Sequence, residues 1–490
     1  MNQKTSPVAN YGGFDRDTWP IKDFKLHKFC AIESKSARTK KERKEREDET
    51  GARYTPFMDL PYYNGIRMCI VDPMHNLFLG ISKHLLVHYF EKKLKPNDLE
   101  SVSSIMEKIK QRCPQDVGRV PPKIIEIKDL QKWTADQTKN FVLYFSIPCL
   151  EPILPAEDLE IWKEFVQGCQ LLCTRILSKR NLVSADMKLL NFCQKLQERE
   201  GTNFIVPNMH LCCHLKECIE DYGPIYSFWL FGFERFNGML GAIPNSNRTI
   251  EIELMRKFSR TTYIMNIEVE EEFDYILSGV RERDGVGSVA NEIETDEGTI
   301  NIYFQSLENN ALFNGSEKYG NPLPKVLSSK LDSDPYYFLM EKYGQFYNLN
   351  SSFAIHDPSI LKFSKFKVGD EIFGSESSRS NRSSFILLKK NNNIVPARVH
   401  GYFMHTISMN SFPVRHTFAV VEYFKKKDGN ALVEDPFDIR IFDAEWKLDD
   451  FEPKSSASII PVQNILCRFI PVSRSVNVFN ISPIVRRLAY

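Results

Sequence analysis

The chain has no CxxC pair, no apolar run approaching the ~18 residues of a membrane span, and no excess of charge of either sign. Each absence narrows the possible functions. Without a CxxC pair, a cysteine-based zinc knuckle or ribbon is not expected. Eleven cysteines in 490 residues are also too sparse for a disulfide framework. Cys169, Cys173, Cys193, Cys212, Cys213 and Cys218 are therefore expected to be mostly buried thiols in a reducing, intracellular compartment. The opening MNQKTSPVANYGG has no apolar h-region, so neither a signal peptide nor a membrane partner is expected. Lys and Arg number 64 against 63 Asp and Glu, a balance that neither demands nor excludes nucleic acid. Walker and dinucleotide-binding glycine motifs and internal repeats are missing too.

What is present is apolar content, at 42% hydrophobic residues with 35 phenylalanines. Such a chain folds, and its length exceeds one core, so two or three domains are expected. Residues 1–55 form a polar and charged N-terminal segment. Within it KSARTKKERKEREDET (35–50) mixes its signs as a solvated helix does, unlike a basic DNA-binding arm. From 73 to 93 Met74, Leu77, Phe78, Ile81, Leu85 and Tyr89 recur at spacings of three and four, an amphipathic helix. Asp72 stands at its N-cap and Pro73 at its first turn. Residues 97–200 read as helical throughout. PNMHLCCHLKECIEDYGP (207–224) reads as a helix with Asn208 as cap and Gly223-Pro224 as stop. Two further amphipathic stretches cover 228–240 and 249–263. Residues 268–349 read as an acidic linker with short helices. From 350 to 490 short alternating runs such as SSFILLKK, HTFAVVEYF and NILCRFIPV predict a small all-β barrel or sandwich. The fold class expected is α+β.

Two constellations stand out for chemistry. Asp72 and His75, three apart at a helix start, can face one point. His210 and His214 sit at i, i+4, on one face of the expected helix. Zinc accepts imidazole nitrogen and carboxylate oxygen in a tetrahedral shell, so the two pairs together supply four ligands. The same residues have plainer readings. Asp72 serves equally as a capping aspartate contributing about 1 kcal/mol, and His75 as a donor to a backbone carbonyl. His210 and His214 serve as half-buried neighbours of Leu211, Leu215, Cys218 and Ile219. Glu234, in FERFNG among Phe231, Phe233 and Phe236, must reach water, pair with a cation such as Arg235, or bind a metal.

Three long segments resemble the transposases of CACTA (En/Spm-type) DNA transposons, and the resemblance spans about residues 11 to 265. They are PYYNGIRMCIVDPMHNLFLGISKHLL (61–86), WTADQTKNFVLYFSIPCLEPILP (133–155) and PNMHLCCHLKECIEDYGPIYSFWLFGFERFNGMLGAIPNSNRTIEIELMRKF (207–258). The resemblance implies a mainly helical, partial RNase H-like core (56–96 and 201–267) with a helical insertion (97–200), followed by the β-rich domain. Such enzymes cut and paste DNA with two aspartates and a glutamate holding two divalent cations, Mg²⁺ or Mn²⁺. The glutamate matches Glu234, and the family's DxxH motif matches Asp72 and His75. The recombinase that rearranges immunoglobulin genes, a distant relative, builds a zinc site from a comparable pair and two histidines shortly before its catalytic glutamate. By that analogy Asp72, His75, His210 and His214 would hold a structural Zn²⁺.

This chain departs from the family pattern. The family's two catalytic aspartates lie on strands before the DxxH motif, mostly in sequence not found here. A cysteine-rich element also normally precedes the equivalent of FDRDTWP (14–20). The resemblance therefore implies a truncated or decayed transposase with little or no nuclease activity alone. Its remaining roles would be binding transposon-end DNA, assembling with a complete transposase, or self-association, in the nucleus. Arg248, Arg256, Lys257 and Arg260 are the candidates for phosphate contact, though an ordinary solvated helix face is the plainer and preferred reading of the same residues. The rival reading is a domesticated interaction scaffold whose β domain binds a partner. FKVGDEIFG (366–374) resembles the opening strand of small barrels that bind peptides, chromatin tails or nucleic acid.

Overall fold

A computed structural model describes residues 13–265, except 20, 22, 96, 175–176 and 245–248, and residues 321–484, except 324–325, 348–356, 369–370, 391–392, 410–411, 429–443 and 476. Of the linker with short helices expected over 268–349, residues 268–320, 324–325 and 348–349 lie outside the described residues, and the rest holds the strands Asn321–Pro322 and Leu327–Lys330 and the helix Ser333–Tyr347. Helices followed by an antiparallel β domain make the chain α+β. No strand occurs among the described residues up to 265.

The apolar spacing after Pro73 has the consequence expected of it. Leu77, Phe78, Ile81, Leu85 and Tyr89 are all fully buried. Their helix is not uniform: Met74–Ile81 is π-helical and Ser82–Lys92 is α-helical. At the junction the Ser82 hydroxyl donates to the Leu77 carbonyl at 2.7 Å. The α-helices of the 97–200 region are Asp98–Arg112, Ile127–Lys132, Ala135–Asn140, Ser146–Leu150, Ala156–Leu172 and Lys179–Glu200, with a π-helical turn at Phe141–Phe145. Thr134 and Gln137 form a capping box that starts the third. Trp162, Phe165, Phe192, Phe141 and Phe145 are wholly buried between them. The charged stretch is the helix Lys40–Thr50, with no buried residue, i, i+4 pairs Arg43–Glu47 at 2.9 Å and Arg46–Glu42 at 2.7 Å, and a left-handed stop at Gly51.

The β domain contains β1 (Asn321–Pro322), β2 (Leu327–Lys330), β3 (Ser359–Phe363), β4 (Lys365–Val368), β5 (Glu371–Gly374) and β6 (Phe385–Lys390). It continues with β7 (Asn393–Met409), β8 (Phe412–Asp428), β9 (Glu445–Phe451), β10 (Ile459–Pro461), β11 (Ile465–Ser475) and β12 (Val478–Ile484). Antiparallel pairing runs β8-β9-β12-β11-β6-β7 and returns from β7 to β8, so six strands close a circuit and leave no free edge between them. A register shift between Val399 and Gly401 marks where the long β7–β8 hairpin changes partners. Before it β7 pairs with β6, and after it with β3. FKVGDEIFG is not the barrel's opening strand: β4 pairs with both β1 and β5 in a separate three-stranded sheet. The barrel packs on the helices. Ser482 of β12 donates to the Tyr144 carbonyl at 2.7 Å, and one apolar cluster joins Phe141 and Phe145 to Phe469 and Ile470.

On the far part of the hairpin His405 and His416 stand directly opposite each other, buried under Tyr343 of the helix Ser333–Tyr347. The Tyr343 hydroxyl meets His405 Nδ1 at 3.0 Å, and His405 Nε2 meets the Asp357 carbonyl at 3.0 Å. Together they place the ring proton on Nε2, a neutral imidazole. Burial lowers both histidines, His416 to about 4. A depressed folded-state pKa means that the unfolded chain binds protons that the native one refuses. The stability is complete above the unfolded value near 6.5 and is lost as pH falls toward 4. Urea unfolding is expected to show a loss of about 3 kcal/mol attributable to His416 across that window. His416→Gln should remove that part of the acid dependence, and an unchanged dependence would refute the assignment.

Candidate functional site

The DPMH segment is fastened from both sides. Asp72 Oδ1 accepts from the Met74 amide at 3.1 Å and from the Leu230 amide, 158 residues on, at 2.9 Å. Asp72 Oδ2 accepts from the His75 amide at 2.9 Å and faces His75 Nδ1 at 2.5 Å. The capping role thus belongs to Asp72, as its position before Pro73 implies, and it extends to a second helix start. Leu230 precedes the helix Phe231–Gly241, and its carbonyl takes the Glu234 amide at 2.9 Å. One aspartate therefore links the starts of the DPMH and FERFNG helices.

Glu234 is exposed on that helix, as are Phe233 and Phe236 at 66% and 59%. Its carboxylate has water available, so the burial cost considered from the sequence does not arise. The helix Ile250–Met265 displays Arg256, Lys257 and Arg260 to solvent. Arg248 lies outside the described residues.

The two histidines are not on one helix. Pro207–Cys212 and Leu215–Tyr222 are separate helices, with a break at Cys213 and His214. The break coincides with a distant contact: Arg16 donates to the Cys213 carbonyl at 3.0 Å while its fork grips Asp186 at 2.5 and 2.6 Å. Despite the break, His210 Nε2 and His214 Nε2 meet at 3.3 Å. Trp19 packs on both rings, at 4.6 and 5.3 Å between centroids. Glu217 lies 3.2 Å from His214 Nδ1, which holds that proton on Nδ1 and leaves Nε2 as the acceptor. Burial lowers the His210 pKa, and His214 adds to the effect. Asn208 is not a cap: Val206 holds that position with Pro207 at N1. The Asn208 carbonyl instead accepts from Asn76 at 2.9 Å, and its amide leaves no room for a Cβ at Gly80.

The expected quartet therefore stands as two pairs. Among the described residues, two groups bring three metal-capable ligand atoms within 4.8 Å, and neither contains Asp72, His75, His210, His214 or Glu234. Both oxygens of Asp72 are already committed to hydrogen bonds. One of the two groups is Glu376, His400 and Glu422 on the barrel surface. Arg398 pairs with Glu376 at 3.0 Å, the His400 ring faces the same carboxylate at 2.8 Å, and Lys454 pairs with Glu422 at 3.1 Å. The other is a buried cluster of Cys193, Cys212 and Cys213 that could hold a metal ion. Cys193 and Cys212 donate toward Cys213, which lowers the Cys213 thiol while the other two are raised. Ligand spacing along the chain could not reveal this group, because Cys193 is nineteen residues before Cys212. The adjacent CC was the available signal.

Among the described residues no helix is long and apolar enough to cross a membrane. No family model, no curated protein and no solved structure matches this chain.

Proposed function

We propose that this is a transposase-derived protein of the CACTA type that binds DNA and assembles with a complete transposase, without cutting DNA by itself. The observation that supports this most is Asp72. Two of the motifs that resemble the family, about 160 residues apart, are tied by its 2.9 Å bond to the Leu230 amide. A shared local origin in the chain cannot account for that proximity, whereas a common site can. Arg256, Lys257 and Arg260 on the helix after Glu234 are the phosphate contacts of this reading.

The same reading assigns no nuclease activity to the chain alone. Two-metal phosphoryl transfer needs several carboxylates around two cations about 4 Å apart. Glu234 joins no such group among the described residues, and the described residues up to 265 hold no strand on which an RNase H-like core could carry the aspartates. Mg²⁺ or Mn²⁺ would bind only where another chain completes the carboxylate set. Supercoiled plasmid incubated with the purified chain and Mn²⁺ is expected to stay intact. Nicking that disappears in Glu234→Gln would overturn this part of the reading.

A second reading, a non-catalytic interaction scaffold, is favoured by one observation. Phe233, Phe236, Met255 and Phe258 are each more than half exposed on two successive helices, and exposed large apolar side chains in such number are the kind of surface that partners bind.

A further inference from the structure

Three thiols outside both motif pairs converge from two helices. Cys193 comes from Lys179–Glu200, while Cys212 and Cys213 lie at the end of Pro207–Cys212. They are 0%, 1% and 3% exposed. Cys193 Sγ lies 3.8 Å from Cys212 Sγ, and one sulfur from each residue falls within 4.8 Å of the others. Two thiolates on a tetrahedral zinc, each about 2.3 Å from the metal, stand about 3.8 Å apart. A disulfide would need about 2.05 Å.

The three thiols crowd the same acceptors. All three sulfurs turn to the Met209 carbonyl, at 3.3, 3.1 and 3.6 Å. A carbonyl oxygen has two lone pairs, so the three S–H groups compete for it and for one another's sulfurs. A cation replaces that competition: each thiol gives up its proton to solvent and its sulfur lone pair to the ion. The break at Cys213 makes this possible, since it lets two adjacent cysteines aim at one point.

We propose that Cys193, Cys212 and Cys213 form a buried thiolate site for one d¹⁰ ion, Zn²⁺ or Cu⁺. Soft sulfur ligands select ions of this class. Three thiolates complete a trigonal Cu⁺ site, whereas Zn²⁺ takes a fourth ligand. The ion staples the helix Lys179–Glu200 to the end of the helix Pro207–Cys212, which carries His210 and leads into His214. Because the ligands are fully buried, loading accompanies folding. The site does not depend on the transposase reading.

The test uses the full chain, produced in zinc-supplemented and in copper-supplemented medium and then dialysed. Elemental analysis is expected to find about one equivalent of zinc or copper per chain, and the medium that yields it identifies the ion. Cys193→Ala should lose the ion, and the His210→Ala/His214→Ala double variant should keep it. A folded chain without metal from either medium would overturn the proposal, as would metal lost from the histidine variant and kept in Cys193→Ala. Should Cys193→Ala not fold, the wild-type chain decides. A thiophilic chelator is then expected to lower its melting temperature and expose three additional thiols to maleimide. Unchanged melting and thiol count would refute the site.

Discussion

Asp72→Ala is expected to lower the unfolding free energy by about 3 kcal/mol, a large fraction of what holds a typical domain folded. A lost N-cap costs about 1 kcal/mol, and a buried amide left without its acceptor costs about 1–3 kcal/mol more. Both losses fall on this residue, because the alanine removes acceptors from Met74 and His75 at one helix start and from Leu230 at another. The carboxylate side chain is only 15% exposed, so water replaces it poorly. Asp72→Asn should fall between: Oδ1 can still accept from Met74 and Leu230, but an amide NH₂ would face the His75 amide, donor against donor. His75→Ala should cost much less, since that ring is 51% exposed. Urea unfolding of the three variants gives the ranking. A loss under about 1 kcal/mol for Asp72→Ala would show that the link between the two motifs contributes no more than an ordinary cap.

The order of helical and β regions was legible because periodicity is local. Leu77, Phe78, Ile81, Leu85 and Tyr89 announce their buried face by spacing alone, and Asp72-Pro73 announces the start. The features that were not legible depend on residues far apart in the chain. The helix expected across 207–224 breaks at Cys213 and His214 without a proline or glycine. The break coincides with a contact from about two hundred residues upstream, where Arg16 donates to the Cys213 carbonyl. The Asp72–His75 and His210–His214 pairs were legible as pairs, but their assembly into one shell was inferred from ligand chemistry and from resemblance, and no spacing along the chain fixes it. Asp72 is occupied instead by the Leu230 amide, which no local pattern could indicate. Barrel closure is likewise non-local. The β7–β8 hairpin follows from adjacent alternating runs, whereas the β12–β9 and β11–β6 pairings that close the circuit bring together distant segments. The FKVGDEIFG motif, expected as a single opening strand, instead supplies two strands, β4 and β5, paired antiparallel with each other. Its sheet membership was the part decided elsewhere.

Removal of the basic side chains on Ile250–Met265 carries the other large expected effect, and it bears on the central claim of DNA binding. Phosphate contact releases counterions, so log K falls linearly with log salt by about 0.9 per phosphate neutralised. If Arg256, Lys257 and Arg260 each neutralise one phosphate, the triple alanine variant loses about 2.7 from the slope and binds on the order of 100-fold more weakly at physiological salt. These residues are exposed, so the substitutions should leave the fold intact, which a melting curve verifies. The direct measurement is fluorescence anisotropy of a labelled random-sequence duplex, titrated with the full chain and with the triple variant over a series of salt concentrations. The account predicts salt-dependent binding by the full chain and a slope shallower by about three phosphates in the variant. Absence of binding at low salt, or identical slopes for the two proteins, would contradict it.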